Sequence, residues 1–280
     1  MKDAHQTITD RILANVDDAG EWKPCWTGMQ AGVPINGTTK KRYRGVNVLS
    51  LWMEQRPSNE WASYKQWQGV GRQVARGERG TPIVFYKEMP VKDPDRKDDT
   101  YLFARLSMVF NESQLTDYEP GLKHAITEEE RIVNCEQWVA ARRHAFTLTH
   151  QEHKAFFTES QDRVNLPLFT TFYKPEYYYS TLFHELTHWT GAKTRLDRES
   201  LRHYHKMRAE EELVAEIGSA FLSASLGIET VTREDHLPYI ARWLTHLKND
   251  KRFITRAATQ ASAAFDYLDA LACIQQEEAA

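Results

Sequence analysis

Residues 181–191 read TLFHELTHWTG. His184 and His188 lie four residues apart, and on a helix that spacing projects both imidazoles from one face. Glu185 sits beside them, placed to accept a proton from a metal-bound water. His-Glu-x-x-His on a helix is the pattern of zinc hydrolases, with the two histidines as ligands and the glutamate as general base. The flanking residues supply the helix. Pro175 suits a first helical turn, and Gly191 is expected to end the helix at a left-handed cap.

Two imidazoles do not complete a site, because catalytic zinc takes three protein ligands and keeps one position open. Downstream, RAEEELVAEIGSAFLSASLGI (208–228) places Leu213, Ile217, Ala220 and Ala224 on one helical stripe, with Glu212 and Glu216 sharing a face beside it. The spacing E-x-x-x-[DE] on a following helix resembles that of thermolysin-like zincins. That resemblance implies Glu212 as third ligand and Glu216 as the carboxylate that fixes an imidazole tautomer. The reverse assignment stays open. Tyr204 and His205, with His203, fall in the expected loop between the two helices, where one of them is a candidate donor to an oxyanion. HKAFFTESQDRVNLP reads as two short strands around a turn at Glu159–Asp162. The strand near Arg163–Leu166 is the expected edge that would pair with an extended peptide, although a core hairpin fits as well. His144, His150, His153, His236 and His246 show no ligand spacing. Two imidazoles and a carboxylate suit Zn2+, with Mn2+ or another divalent ion also compatible.

The elements that must hold these groups divide the chain. A break is expected over DYEPGLKHAITEEE (117–130), where Pro120 and Gly121 interrupt the pattern and Thr127 with Glu130 forms a capping box. Residues 1–124 carry a net charge of +2, and residues 125–280 carry −5. In the first segment, TITDRILANVDDA reads as a helix with Ile8, Ile12 and Val16 on one face. GVNVLSLWMEQ reads as a second helix, and SYKQWQGVGRQVARGERG as a helix running into a glycine-punctuated turn. TPIVFYKEM and TYLFARLSMVFN read as strands joined by VKDPDRKDD. The fold class expected is α+β in two domains: an N-terminal mixed α/β domain over 1–122 and a C-terminal domain over 123–280.

Between Asn36 and Glu88 ten basic residues face four acidic ones, and aromatics are interleaved among them. The basic set includes Lys40, Lys41, Arg42, Arg44, Lys65, Arg72, Arg76 and Arg79. The aromatic set is Tyr43, Trp52, Trp61, Tyr64, Trp67, Phe85 and Tyr86. Cations attract phosphates and exposed rings stack on unpaired bases, so this stretch is a candidate surface for single-stranded nucleic acid. The competing reading makes the rings core and the charges a solvated face.

Several tracts together resemble the ArdC-type antirestriction proteins of conjugative plasmids: YRGVNVLSLW, WASYKQWQGVGRQVARGERGTPIVFYK, DRVNLPLFTTFYKPEYYYSTLFHELTHWTGAKTRLDR, EELVAEIGSAFLSASLGI and YIARWLTHLKNDKRFITRAATQASAAFDYL. They cover most of the chain in the expected order, while NCEQWVAARRHAFTLTHQEHK departs from the pattern. The resemblance implies an N-terminal domain that binds single-stranded DNA, of a type also fused to plasmid primases, and a C-terminal zincin-like metallopeptidase domain. It implies protection of an incoming plasmid strand from host restriction. The alternatives are an active peptidase that cleaves a host protein such as a restriction subunit, and a purely structural metal.

With 280 residues, 41% hydrophobic and a net charge of −3, the chain has the apolar mass for a real core and lacks the acidity of a DNA mimic. Cys25, Cys135 and Cys273 are far apart, so neither a disulfide framework nor a thiolate zinc site is expected. A charged N-terminus and the lack of a long apolar run predict a soluble, cytoplasmic protein with no membrane partner.

Overall fold

The structure, a computed structural model, describes residues 4–14, 32–90, 100–120, 127–228 and 237–278. Val16, Cys25, His236 and the turn VKDPDRKDD lie outside the described residues.

Helix α1 (Ala4–Ala14) buries Ile8 and Ile12 one turn apart, as their spacing predicts. Strand β1 (Ile35–Asn36) leads to helix α2 (Val46–Trp52), strand β2 (Glu60–Ala62) and helix α3 (Tyr64–Gly69). Ser63 and Gln66 close a capping box at the start of α3, which sets that short helix at a defined point. Strands β3 (Thr81–Pro90) and β4 (Thr100–Asn111) form a long antiparallel ladder, from Thr81 opposite Val109 to Pro90 opposite Thr100. The sheet order is β1-β2-β4-β3. Asn47 of α2 imitates a backbone: its amide donates to the carbonyl of Val84 at 2.9 Å and accepts from the Val84 N–H at 2.7 Å, which docks α2 on β3.

The second segment opens with α4 (Glu128–Ala140), capped by the expected Thr127–Glu130 box. Strands β5 (Thr147–Thr149), β6 (Phe156–Thr158) and β7 (Arg163–Asn165) make a sheet in the order β5-β7-β6. This corrects the expectation of an edge at Arg163–Leu166. Strand β7 is central, parallel to β5 and antiparallel to β6, so its backbone groups are already paired. Helices α5 (Pro175–Thr190), α6 (Glu199–Arg202), α7 (Tyr204–Leu226), α8 (Leu237–Asn249) and α9 (Phe253–Glu278) complete the segment.

One buried apolar cluster runs through both segments, joining Ile8, Ile12 and Leu49 to Leu213, Ile217, Ile254 and Leu268. Polar ties reinforce it. Thr9 donates to the Lys251 carbonyl at 2.9 Å, and the N–H of Gly45, at φ 57°, donates to Ser262 at 2.7 Å. Among the described residues no helix is long and apolar enough to cross a membrane.

Candidate metal centre

Helix α5 begins with Pro175 at its first position and buries nearly all its length, from Tyr178 to Thr190. Gly191 is not the left-handed cap expected from the sequence; its backbone is right-handed at φ −78°. The lack of a side chain there has a packing reason, since a Cβ would lie 2.5 Å from the Arg198 guanidinium. Helix α7 crosses α5 closely at Gly218, where a Cβ would meet Thr187 at 2.6 Å. That contact brings Glu212 to the histidines. The expected loop at 203–205 is instead the opening of α7, which carries a non-helical residue at Met207.

His184, His188 and Glu212 meet as predicted and are all buried. Their facing atoms form a triangle. The two Nε2 atoms are 3.1 Å apart, and Glu212 Oε2 lies 3.5 Å from His184 Nε2 and 3.8 Å from His188 Nε2. Tetrahedral ligands roughly 2.0–2.1 Å from zinc stand about 3.3 Å apart, so the donor set fits a small divalent cation. Glu185 is buried on the same helix, next to its ligand neighbour His184. Glu216 Oε1 lies 3.6 Å from His184 Nδ1, in the place expected for the outer carboxylate though longer than a normal hydrogen bond.

The sequence reading missed Glu211, Arg198 and Ser200. Glu211 Oε1 lies 2.9 Å from His188 Nδ1 and accepts from Arg198, so the tighter outer partner belongs to His188. The signal available was the run Glu210–Glu212, but helical phase alone does not say which member finds an arginine. Burial by itself would lower the His188 pKa; hydrogen bonds and charge from Glu211 and Glu212 outweigh it and push it up to about 10. Burial would raise Glu211, but Arg198 and His188 hold it at about 2. Glu212 is likewise held well below the usual carboxylate range, its burial overcome by the two histidines. The Cys135 thiol is buried and pushed up to about 12, chiefly by that burial.

Of the two oxyanion candidates, the structure brings Tyr204 to the site and leaves His205 exposed. The Tyr204 hydroxyl donates to Glu212 Oε1, and its ring lies 6.4 Å from that of His188.

The candidate nucleic-acid residues separate into three groups. Trp52, Trp61 and Trp67 are 4%, 2% and 1% exposed, which corrects the expectation that they stack on bases; they are core, and Trp67 donates to the Phe110 carbonyl at 3.0 Å. Tyr43 is half-buried with its hydroxyl donating to Trp61 O, and burial raises its pKa to about 12. Several cations are already engaged: Lys40 with Glu60, Arg42 with Asp269, Arg44 with Asp266, and Arg72 with Glu112 and Asp117. Lys41, Lys65, Arg76 and Arg79 are exposed and have no acidic partner among the described residues. Tyr64, Phe85 and Tyr86 are exposed rings.

Comparison with known proteins defines the class first. Residues 2–115 match the N-terminal domain of anti-restriction factor ArdC, and residues 134–260 match a zincin-like metallopeptidase. The architecture is therefore an ArdC N-terminal domain followed by a zincin-like domain. Over 98% of its length the chain superposes on the metal-free crystal structure of the antirestriction protein ArdC from plasmid R388, with 34% identity, a TM-score of 0.80 and 99% of that chain covered. The Mn(II)-bound structure of that protein matches over 97% of this chain and 98% of that one, with 35% identity and a TM-score of 0.77. Protein y4eC of Sinorhizobium fredii is 36% identical over 96% of this chain and 92% of its own length. DNA primase TraC of Escherichia coli is 32% identical over 95% of this chain, which spans 27% of the primase. The chain belongs to the ArdC-type antirestriction family.

Proposed function

We propose that this protein binds single-stranded DNA without sequence preference and shields incoming conjugative DNA from host restriction, with a divalent ion held by His184, His188 and Glu212. What carries the reading is the end-to-end likeness to ArdC, in a chain whose ligand triangle is assembled. Mn2+ is a candidate occupant because a structure of the R388 protein is Mn(II)-bound; Zn2+ suits the donor set equally well.

The DNA surface we favour lies around α3 and the loop after it. Gln73 donates to the Tyr64 hydroxyl at 2.6 Å, Val74 bridges to Leu115, and Gln114 donates to the Arg79 carbonyl at 2.9 Å. The loop is thereby fastened to the segment that follows β4, and it carries the exposed Arg76 and Arg79, while α3 carries the exposed Lys65 and the Tyr64 ring. Unpaired cations give salt-dependent phosphate binding and the ring gives a stacking platform. The match to a DNA primase supports a nucleic-acid partner for the same sequence unit.

A second reading, peptide hydrolysis, rests on the buried Glu185 between the two histidines. A bound divalent ion would supply Lewis-acid polarisation of a water and a carbonyl. Glu185 would take the proton from that water and return it to the leaving amine. Tyr204 would turn from Glu212 to donate to the carbonyl oxygen. The substrate under this reading is a host protein such as a restriction subunit.

Plasmid transfer into a restricting host separates the two. The combined variant Lys65→Ala, Arg76→Ala, Arg79→Ala is expected to lose both oligonucleotide affinity and protection, while Glu185→Ala keeps both. Protection that survives the triple variant but disappears with Glu185→Ala overturns the DNA reading and favours the peptidase.

A further inference from the structure

Glu210, Glu211 and Glu212 are consecutive and all buried, yet they have different partners. Glu210 lies 3.5 Å from Arg256, and Glu212 faces the two imidazoles. Glu211 is fully enclosed at 0% exposure. Its Oε1 meets His188 Nδ1 at 2.9 Å and accepts from Arg198 Nη2 at 2.7 Å. Its Oε2 accepts from Arg198 Nε at 2.9 Å and from the Ser200 hydroxyl at 2.5 Å. Arg198 is itself fastened to the last turn of α5, donating to the Thr187 carbonyl at 2.7 Å and to Thr190 Oγ1 at 3.2 Å. It occupies the space that the missing side chain of Gly191 leaves.

We propose that Glu211, locked by Arg198 and Ser200, is a positioning residue for the metal ligand His188. It holds the ring with Nδ1–H donated and Nε2 turned toward Glu212. This rests on the metal reading of the triangle. A carboxylate acceptor on the far nitrogen fixes ring orientation and raises ligand basicity. The same lock keeps Glu211 from becoming a ligand, since turning it to the ion would strand a buried guanidinium. Arg198 thus selects which of three adjacent glutamates reaches the ion. Glu216 contributes less, because its 3.6 Å approach to His184 is too long for a hydrogen bond.

Mn2+ alone is the probe, titrated into the full-length protein and read from the free-ion resonance, with thermal unfolding of the metal-free protein measured alongside. Glu211→Gln keeps the shape and removes the charge. Glu211→Asp keeps the charge for Arg198, so the fold is retained, but draws the carboxylate away from His188. Both are expected to weaken Mn2+ binding about 10–100-fold, the range for lost outer partners of metal ligands. Ser200→Ala, which removes one bond of the lock and leaves both arginine bonds, is expected to weaken Mn2+ binding less than either Glu211 variant. Folded Glu211→Asp that binds as wild type, with only its unfolding temperature lowered, shows a merely structural ion pair and overturns the positioning role. Wild-type protein that takes up no Mn2+ overturns the metal reading first, and this role with it.

Discussion

Gly218→Ala tests how the two ligand-bearing helices are held. The added Cβ would lie 2.6 Å from Thr187 Cγ2 and 2.7 Å from Thr187 Oγ1. Ordinary carbon contacts sit at about 3.5–4.0 Å, so the helices must part by about 1 Å or Thr187 must move. Thr187 is poorly placed to move: it is fully buried, β-branched, and its hydroxyl donates to the Phe183 carbonyl at 2.7 Å. Parting shifts Glu212 on α7 away from the histidines on α5. Its present separations of 3.5 and 3.8 Å would grow toward roughly 4.5–4.8 Å, whereas two bonds of about 2.05 Å span at most about 4.1 Å. The expected result is a loss of Mn2+ or Zn2+ affinity of about 100-fold, or about 2.8 kcal/mol. A destabilisation of about 1–3 kcal/mol from overpacking accompanies it. Titration with a competing chelator, together with chemical denaturation of the metal-free protein, measures both. Adding Thr187→Ala in the same chain removes the clash and should restore much of the affinity, as coupled neighbours do. Folded Gly218→Ala with wild-type affinity would refute the idea that this close crossing sets the ligand triangle.

Other outcomes follow from the same geometry. His188 has a pKa raised to about 10 without metal, so near neutral pH an ion must displace its proton. Metal uptake should release about one proton, and apparent affinity should rise up to tenfold per pH unit toward that value, as proton release in weak buffer would reveal. A raised pKa also means that the proton's contribution to metal-free stability is full below about pH 6.5 and fades as pH climbs through about 10, which denaturation at several pH values checks. Trp67→Ala should cost about 3–5 kcal/mol of stability because the ring is core. Tyr64→Ala should stay within about 0.5 kcal/mol in stability yet weaken oligonucleotide binding by roughly 1–3 kcal/mol; the opposite pattern would show that the exposed ring is not a stacking platform.

Much of the local structure was legible because it depends on neighbours in sequence. Pro175 at the start of α5, the capping box at Thr127, the burial of Ile8 and Ile12, and the two-strand reading of β6 and β7 all express short-range rules. The errors came where a local signal was shared by several tertiary outcomes. The position of Gly191 after the helix predicts a left-handed cap, yet the residue is right-handed and small because Arg198 needs the space. The sequence of strand β7 suits an edge as well as a core hairpin, and pairing on both sides makes it central. Trp52, Trp61 and Trp67 alternate with basic residues as a stacking surface would, but composition does not say which side of a sheet or helix is covered.

By itself the sequence determined the candidate ligands His184 and His188, the general-base candidate Glu185, a third candidate ligand in Glu212 or Glu216, and the family. Helical periodicity converts spacing directly into a shared face, and long matched tracts leave few alternatives. Only the tertiary structure decided which of three adjacent glutamates faces both imidazoles, which meets the far nitrogen of His188, and which aromatic rings are exposed. Those choices turn on how closely α5 and α7 approach at Gly218 and on where the Arg198 side chain comes to rest, and both are set by packing between residues distant along the chain.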